Sequence, residues 1–198
     1  MSKIRFKFIK KYFLQKKREF FKEAVKDIRN SGTIAPSSKY LIDKMLNNID
    51  FTKNNVIVEY GAGNGNITNE LLKRLNNDSV LICFEINTKF YKHLLTFKDT
   101  RLVVINESSE NIKKICSKMN LVDVHHFVSS LPLTNMPDKV SEKIVIESYA
   151  LLKENGYFLQ YQYSLTYLKK FKEIFLNKVI LNFELRNIPP AFIYKCKK

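Results

Sequence analysis

Three carboxylates follow three apolar runs in this sequence. Glu59 sits near the end of "VIVEY", Glu85 closes "VLICFE", and Glu107 follows "LVVIN". Acids so placed can hold a cation or accept from hydroxyl and amino groups, although any one alone reads equally as a solvated carboxylate at a strand end. After Glu59 comes "GAGNG", with Gly61, Gly63 and Gly65 leading into "NITNELLKRL". Glycines suit a tight strand-to-helix turn whose backbone must approach a ligand without Cβ interference. The spacing is G-x-G-x-G, not the G-x-G-x-x-G whose helix-start amides meet a pyrophosphate. An acid two residues before the first glycine suits a ligand with a positively charged end.

A second turn of interest is "FVSSLPL", residues 127–133. Ser129, Ser130 and Leu131 bring backbone carbonyls, and Ser130 a hydroxyl, that can receive the N–H groups of an amine. Downstream, Tyr161 and Tyr163 in "FLQYQYSL" alternate along one strand and share a face. Either tyrosine, Tyr163 in particular, can make a cation–π contact with a cationic ligand or join a proton path, although core or sheet-face tyrosines explain both residues as well. His125 and His126 are neighbours inside a strand, pointing to opposite faces, which argues against a base built from them. Ser37 and Ser38 of "PSS" can bond a ligand carboxylate or cap a helix. Cys83, Cys116 and Cys196 lack metal-ligand spacing and are expected as reduced thiols, buried for the first two; no metal site is expected.

Positioning these groups falls to an alternation of elements. "NNVIVEY", "SVLICFEI", "RLVVIN" and "DVHHFVSS" read as strands; "NITNELLKRL", "TKFYKHLLTF", "SENIKKICSKM" and "DKVSEKIVIESYALLK" read as helices between and after them. From Gly156 the tail is strand-rich. The pattern predicts an α/β sandwich with right-handed crossovers, a mostly parallel sheet and helices on both faces. "IAPSSKYLIDKML" predicts a turn at Pro36, a serine cap and a short helix.

The 198 residues fit one domain of ordinary size, and the net charge of +15 points to a polyanionic partner, nucleic acid or an anionic membrane surface. Residues 1–29 carry eleven lysines and arginines against three acids. Phe6, Ile9, Phe13, Phe20, Ala24 and Ile28 recur at helical steps, with Lys11, Arg18, Lys22, Lys26 and Arg29 on the other side. Such a helix can lie in a membrane interface, Phe6, Phe13 and Phe20 down and Lys7, Lys11, Arg18, Lys22 and Lys26 near headgroups. It can equally cover the sheet as an ordinary helix, or offer aromatics and lysines to RNA. The lysines breaking its apolar residues do not resemble a signal peptide, and no apolar run approaches the ~20 residues of a membrane span.

"VIVEYGAGNGNIT" resembles the glycine motif of class I S-adenosylmethionine-dependent methyltransferases. The resemblance implies roles for the residues around it. Glu59 would meet the amino-acid end of the cofactor, and Gly61, Gly63 and Gly65 its backbone cradle. Glu85, with Ile86 beside it, would serve the ribose hydroxyls, Glu107 and Ser108 the adenine amino group, and Ser37 and Ser38 the carboxylate. In that superfamily the turn after the fourth strand faces the transferred methyl. Adenine enzymes carry an Asn-Leu-Pro-Tyr type of turn there, whose ring stacks on an extruded base. Here Ser130 stands in place of the Asn and Leu133 in place of the ring.

The chain is similar instead to the bacterial phospholipid N-methyltransferases, whose turn is typically S-G-L-P-L. "SGTIAPSSKYLIDKM", "FLQYQYSL" and "RNIPPAFIY" also resemble segments of that family, which is related to the rRNA adenine dimethyltransferases. Ser130 in place of the family's glycine is the departure. The resemblance implies a Rossmann-like, seven-stranded, mostly parallel sandwich preceded by a basic amphipathic helix. It implies one domain over 1–198: the basic helix at 1–30, a cofactor-covering segment at 31–54 and the core at 55–198. The implied activity is S-adenosylmethionine-dependent N-methylation of an aminolipid, phosphatidylethanolamine towards phosphatidylcholine, in the cytoplasm at the inner face of the cell membrane. RNA adenine N6-methylation is the alternative.

Overall fold

The structure, a computed structural model, describes residues 37–198. The expected helix at 1–30 and its membrane contacts through Phe6, Lys7, Lys11, Phe13, Arg18, Phe20, Lys22 and Lys26 therefore lie outside the described residues.

The first described helix, α1 (Lys39–Leu46), starts where Ser38 caps it, the serine hydroxyl accepting from the Leu41 N–H. Strands and helices then alternate: β1 (Val56–Tyr60), α2 (Asn66–Arg74), β2 (Val80–Phe84), α3 (Thr88–Leu94), β3 (Leu102–Ile105), α4 (Ile112–Lys118), β4 (Val124–Ser129), α5 (Asp138–Leu151) and β5 (Leu152–Gln162). A short helix, α6 (Leu168–Ile174), and a hairpin of β6 (Val179–Glu184) and β7 (Ala191–Lys197) complete the unit.

The seven strands form one sheet in the order β3-β2-β1-β4-β5-β7-β6. β1 to β5 are parallel, while β7 runs antiparallel to both β5 and β6. The strand order reverses between β1 and β4, and a crevice for a ligand is expected outside the carboxyl ends of strands at such a reversal. The anticipated sandwich of a mostly parallel seven-stranded sheet is what forms.

Alternation along β1 sorts side chains to two cores. Ile57 packs with α1, α2 and α3, while Val58 and Tyr60 pack with α4, α5 and α6. Glu59 is at odds with its neighbours: a carboxylate only 1% exposed, level with the apolar residues around it.

Two local features differ from the sequence expectation. Helical periodicity runs to Lys153, but α5 stops at Leu151 and β5 begins at once, because Leu152 already pairs with Val124. The strand-rich tail also contains α6, whose Phe171 is fully buried and packs against Phe158 and Tyr194. Among the described residues no helix is long and apolar enough to cross a membrane.

Candidate active site

The turn after β1 is stitched to the end of β2. The Gly61 and Ala62 N–H groups donate to the Phe84 carbonyl at 2.9 and 3.4 Å. Gly61 lies at φ +70°, and a Cβ there would stand 3.0 Å from the Ser130 hydroxyl. Gly65, at φ +82°, opens α2, and a Cβ there would meet the Phe97 ring at 2.6 Å. Both positions exclude a side chain twice over, by backbone conformation and by space.

Glu59 projects from β1 toward α2. The Thr68 hydroxyl donates to its Oε2 at 2.7 Å and the Cys83 thiol donates to the same oxygen at 3.1 Å. Among the described residues no cation reaches it. Burial, helped by the nearby charge of Glu85, pushes its pKa up to about 7 against hydrogen bonds from the Thr68 side chain, the Cys83 thiol and the Thr68 backbone. A buried carboxylate without a cation beside it has the chemistry to accept an ammonium group.

Glu85, 6% exposed, ties two turns together. Its Oε2 accepts the Gly63 N–H at 2.8 Å and its Oε1 the Asn87 N–H at 2.7 Å. A carboxylate has about four lone-pair sites, so each oxygen keeps capacity for a ligand hydroxyl. Asn106 fixes the adjacent backbone, its amide donating to the Glu85 carbonyl at 2.7 Å and the Ile86 carbonyl at 3.2 Å. The Ile86 side chain stands 73% exposed beside them. Glu107 is exposed in the turn after β3, accepting from the Asn111 amide at 2.9 Å. Ser108 caps the next turn, its oxygen accepting from the Glu110 N–H. Ligand-binding roles for Ile86, Glu107 and Ser108 remain inferences from their position at this sheet edge.

The turn after β4 lies across the crevice. The Ser130 N–H donates to the Tyr60 carbonyl at 3.1 Å, and its hydroxyl donates to the Gly61 carbonyl at 2.6 Å. The serine therefore joins this turn to the glycine turn. The Leu131 carbonyl accepts from the Gln160 amide at 3.0 Å, the Gln162 amide at 3.3 Å and the Leu133 N–H at 2.8 Å. That carbonyl is committed, so the sequence-based idea that it receives an amine N–H gives way. The Ser129 hydroxyl accepts from the Leu131 N–H. Leu133 is fully buried and offers no surface to an acceptor.

Tyr161 and Tyr163 meet edge to face with centroids 6.0 Å apart. The Ser37 hydroxyl lies 3.3 Å from that of Tyr161, and Tyr163 interacts with the Asn187 side chain. The Ser38 N–H donates to Asn187 Oδ1. Ser38 is thus a helix cap, and Ser37 a partner of Tyr161. The two histidines sit at the opposite, amino edge: the Val56 N–H donates to His125 and the Tyr157 N–H to His126. Burial, then the charge of His125, lowers the His126 pKa to about 4. The hollow lined by Leu165, Leu168, Lys169 and Asn177 shares no residue with the crevice.

Residues 37–165 match the ribosomal RNA adenine dimethylase family. The chain belongs to that family. The ornithine lipid N-methyltransferase of Singulisphaera acidiphila is 28% identical over 168 residues, 84% of this chain and 88% of that protein. Among solved structures, the fold is similar to precorrin-6y C5,15-methyltransferase from Geobacter metallireducens, with TM-score 0.61, 15% identity and coverage of 83% and 94% of the two chains. It is also similar to Aeropyrum pernix fibrillarin carrying natively bound S-adenosyl-L-methionine, with TM-score 0.55, 15% identity and coverage of 72% and 66%. This member of the dimethylase family is a class I methyltransferase that uses S-adenosylmethionine.

The crevice fits that cofactor on its own terms. It offers a buried carboxylate with no cation beside it among the described residues, a second carboxylate for hydroxyls, and an uncrowded turn at Gly63, where a Cβ would have the Gly61 carbonyl 3.9 Å away. Glu59, Glu85 and the three glycines are brought together, with Ser130 reaching across. Thr68, Cys83, Asn106, Gln160 and Gln162 support these groups through contacts between elements, roles that their sequence segments did not assign to them.

Proposed function

We propose that the protein transfers the methyl group of S-adenosylmethionine to the amine of a lipid headgroup, phosphatidylethanolamine on the way to phosphatidylcholine or the amine of an ornithine lipid. The observation that carries this reading is the acceptor turn. Its one position for a base-stacking ring holds Leu133, which is buried, and Tyr163 is engaged with Tyr161 and Asn187. The similarity to an ornithine lipid enzyme supports the same acceptor class.

Bound S-adenosylmethionine supplies an electrophilic methyl group on a sulfonium. The chain's part is to align an amine and relieve it of a proton, since an alkyl ammonium titrates near pH ~10. The Ser130 proton is spent on the Gly61 carbonyl, so its oxygen lone pairs are available to an amine N–H. The Ser130 carbonyl completes the set, Ser129 being fully buried within the sheet, and Tyr163 borders it. We place the reaction at an anionic membrane surface on the cytoplasmic side, with residues 1–30 as a docking segment of the single domain.

Incubation with methyl-labelled S-adenosylmethionine and vesicles containing phosphatidylethanolamine or ornithine lipid is expected to label the lipid fraction. Label confined to added rRNA would overturn the reading and favour adenine N6-methylation, which the family match supports.

A further inference from the structure

The β6–β7 turn inverts the ordinary rule of polar outside and apolar inside. Glu184 and Asn187 are each 2% exposed, whereas Leu185 and Ile188 are 71% and 84% exposed. Every polar group beneath is tied down. Glu184 pairs with Lys44 at 2.8 Å and with Arg186 at 2.8 Å. Asn187 receives the Ser38 N–H at 2.9 Å and donates to the Pro189 carbonyl at 2.7 Å. The turn is held from below and presents two aliphatic side chains outward, so little ordering remains to be done on contact.

Its position matters as much as its composition. Gln162, at the carboxyl end of β5, pairs with Phe192, and Ala191 pairs with Glu184. The turn therefore stands on the carboxyl edge of the sheet, the edge that carries the glycine and acceptor turns. Around it are the exposed Lys39 and Arg186 and the partly exposed Lys44, against one buried acid. An aliphatic tip ringed by surplus positive charge complements an anionic lipid surface. Residues 185–190 carry no aromatic ring for base stacking, and the nearby exposed Tyr40 ring is covered by the Arg186 guanidinium at 3.9 Å.

We propose that Leu185 and Ile188 insert into an anionic membrane and set the acceptor opening against the headgroups; this rests on the aminolipid reading above. The sequence contains no tryptophan, so full-length Ile188→Trp gives a single emission probe. With phosphatidylglycerol/phosphatidylcholine vesicles its emission is expected to shift to the blue and to be quenched by acyl-chain bromine. Val122→Trp, exposed at 80% before β4 on the amino edge, is expected to show neither. Ile188→Asp should weaken vesicle partition at least tenfold while preserving the thermal midpoint and methylation of a soluble short-chain aminolipid.

Equal quenching at positions 188 and 122, or none at 188 while the protein co-sediments, overturns the insertion. So does a blue shift that tracks protein concentration without vesicles, which assigns the face to a second copy, or one produced by RNA alone. Lipid methylation measured in the same samples separates the two ideas. Methylated lipid without insertion removes only the anchor; insertion without methylated lipid removes only the acceptor assignment.

Discussion

Glu59 is the residue whose chemistry is most exposed to measurement. With its pKa near 7, it carries a proton at mildly acid pH that must leave before it can pair with a ligand ammonium. Donor affinity, measured by calorimetry, is therefore expected to fall about tenfold per pH unit below 7. Glu59→Gln should flatten that profile and weaken binding on the order of a hundredfold. Stability gives an independent check. A carboxyl raised from 4.5 to about 7 stabilises the fold fully below pH 4.5, and that contribution is lost as pH rises to 7. His126, lowered from 6.5 to about 4, does the opposite: stability is lost as pH falls from 6.5 to 4. Each is worth roughly 3 kcal/mol by the shift, so they offset one another between pH 4.5 and 6.5. Glu59→Gln should unmask a stability that climbs with pH across that window, read by thermal or urea unfolding. A flat profile in the variant would refute the His126 assignment, and a variant profile identical to that of the native protein would refute that of Glu59.

At the scale of elements, two turns flank the crevice and Ser130 ties them together. Gly61→Ala sets a Cβ 3.0 Å from the Ser130 hydroxyl in a left-handed backbone, a conformational cost of roughly 1–2 kcal/mol. We expect methyl transfer to fall much further than stability, because the acceptor turn is displaced. Ser130→Gly alone separates the two roles, because it removes the crowded hydroxyl and the amine acceptor together. If Gly61→Ala acts through that contact, adding it to Ser130→Gly should lower kcat less than adding it to the native chain; an equal further loss in both backgrounds would show that the contact is not what matters. Some of this was legible in the sequence. The strand-end acids and "GAGNG" announce themselves because they lie in one contiguous stretch or recur after each apolar run. Gln160 and Gln162 stood out only as part of "FLQYQYSL"; their hold on the Leu131 carbonyl, in the turn after β4, is a contact between elements that no reading along the chain supplies. Thr68 and Cys83 escaped for the same reason: both serve Glu59 from other elements. The helix α6 was hidden inside a tail whose aromatics suit strands as well as helices, and only burial of Phe171 and Phe175 decides between them.

For the whole molecule, the charge of +15 and the polarity of the sheet lead to one expectation. Partition onto anionic vesicles should weaken steeply with added salt, because exposed cations are screened within about 10 Å at 0.1 M. A 31–198 truncation removes eleven of the cations. It should bind less tightly than the full chain yet retain a salt-resistant remainder; identical sedimentation of the two would discard docking by residues 1–30. The strand reversal between β1 and β4 has a further effect on the order of events. Through the Ser130 hydroxyl, the glycine turn after β1 is tied to the turn after β4. Any movement of the glycine turn when the donor binds is thus passed on to the turn after β4, and ordered kinetics, donor on first and spent donor off last, are the expected outcome in product-inhibition measurements.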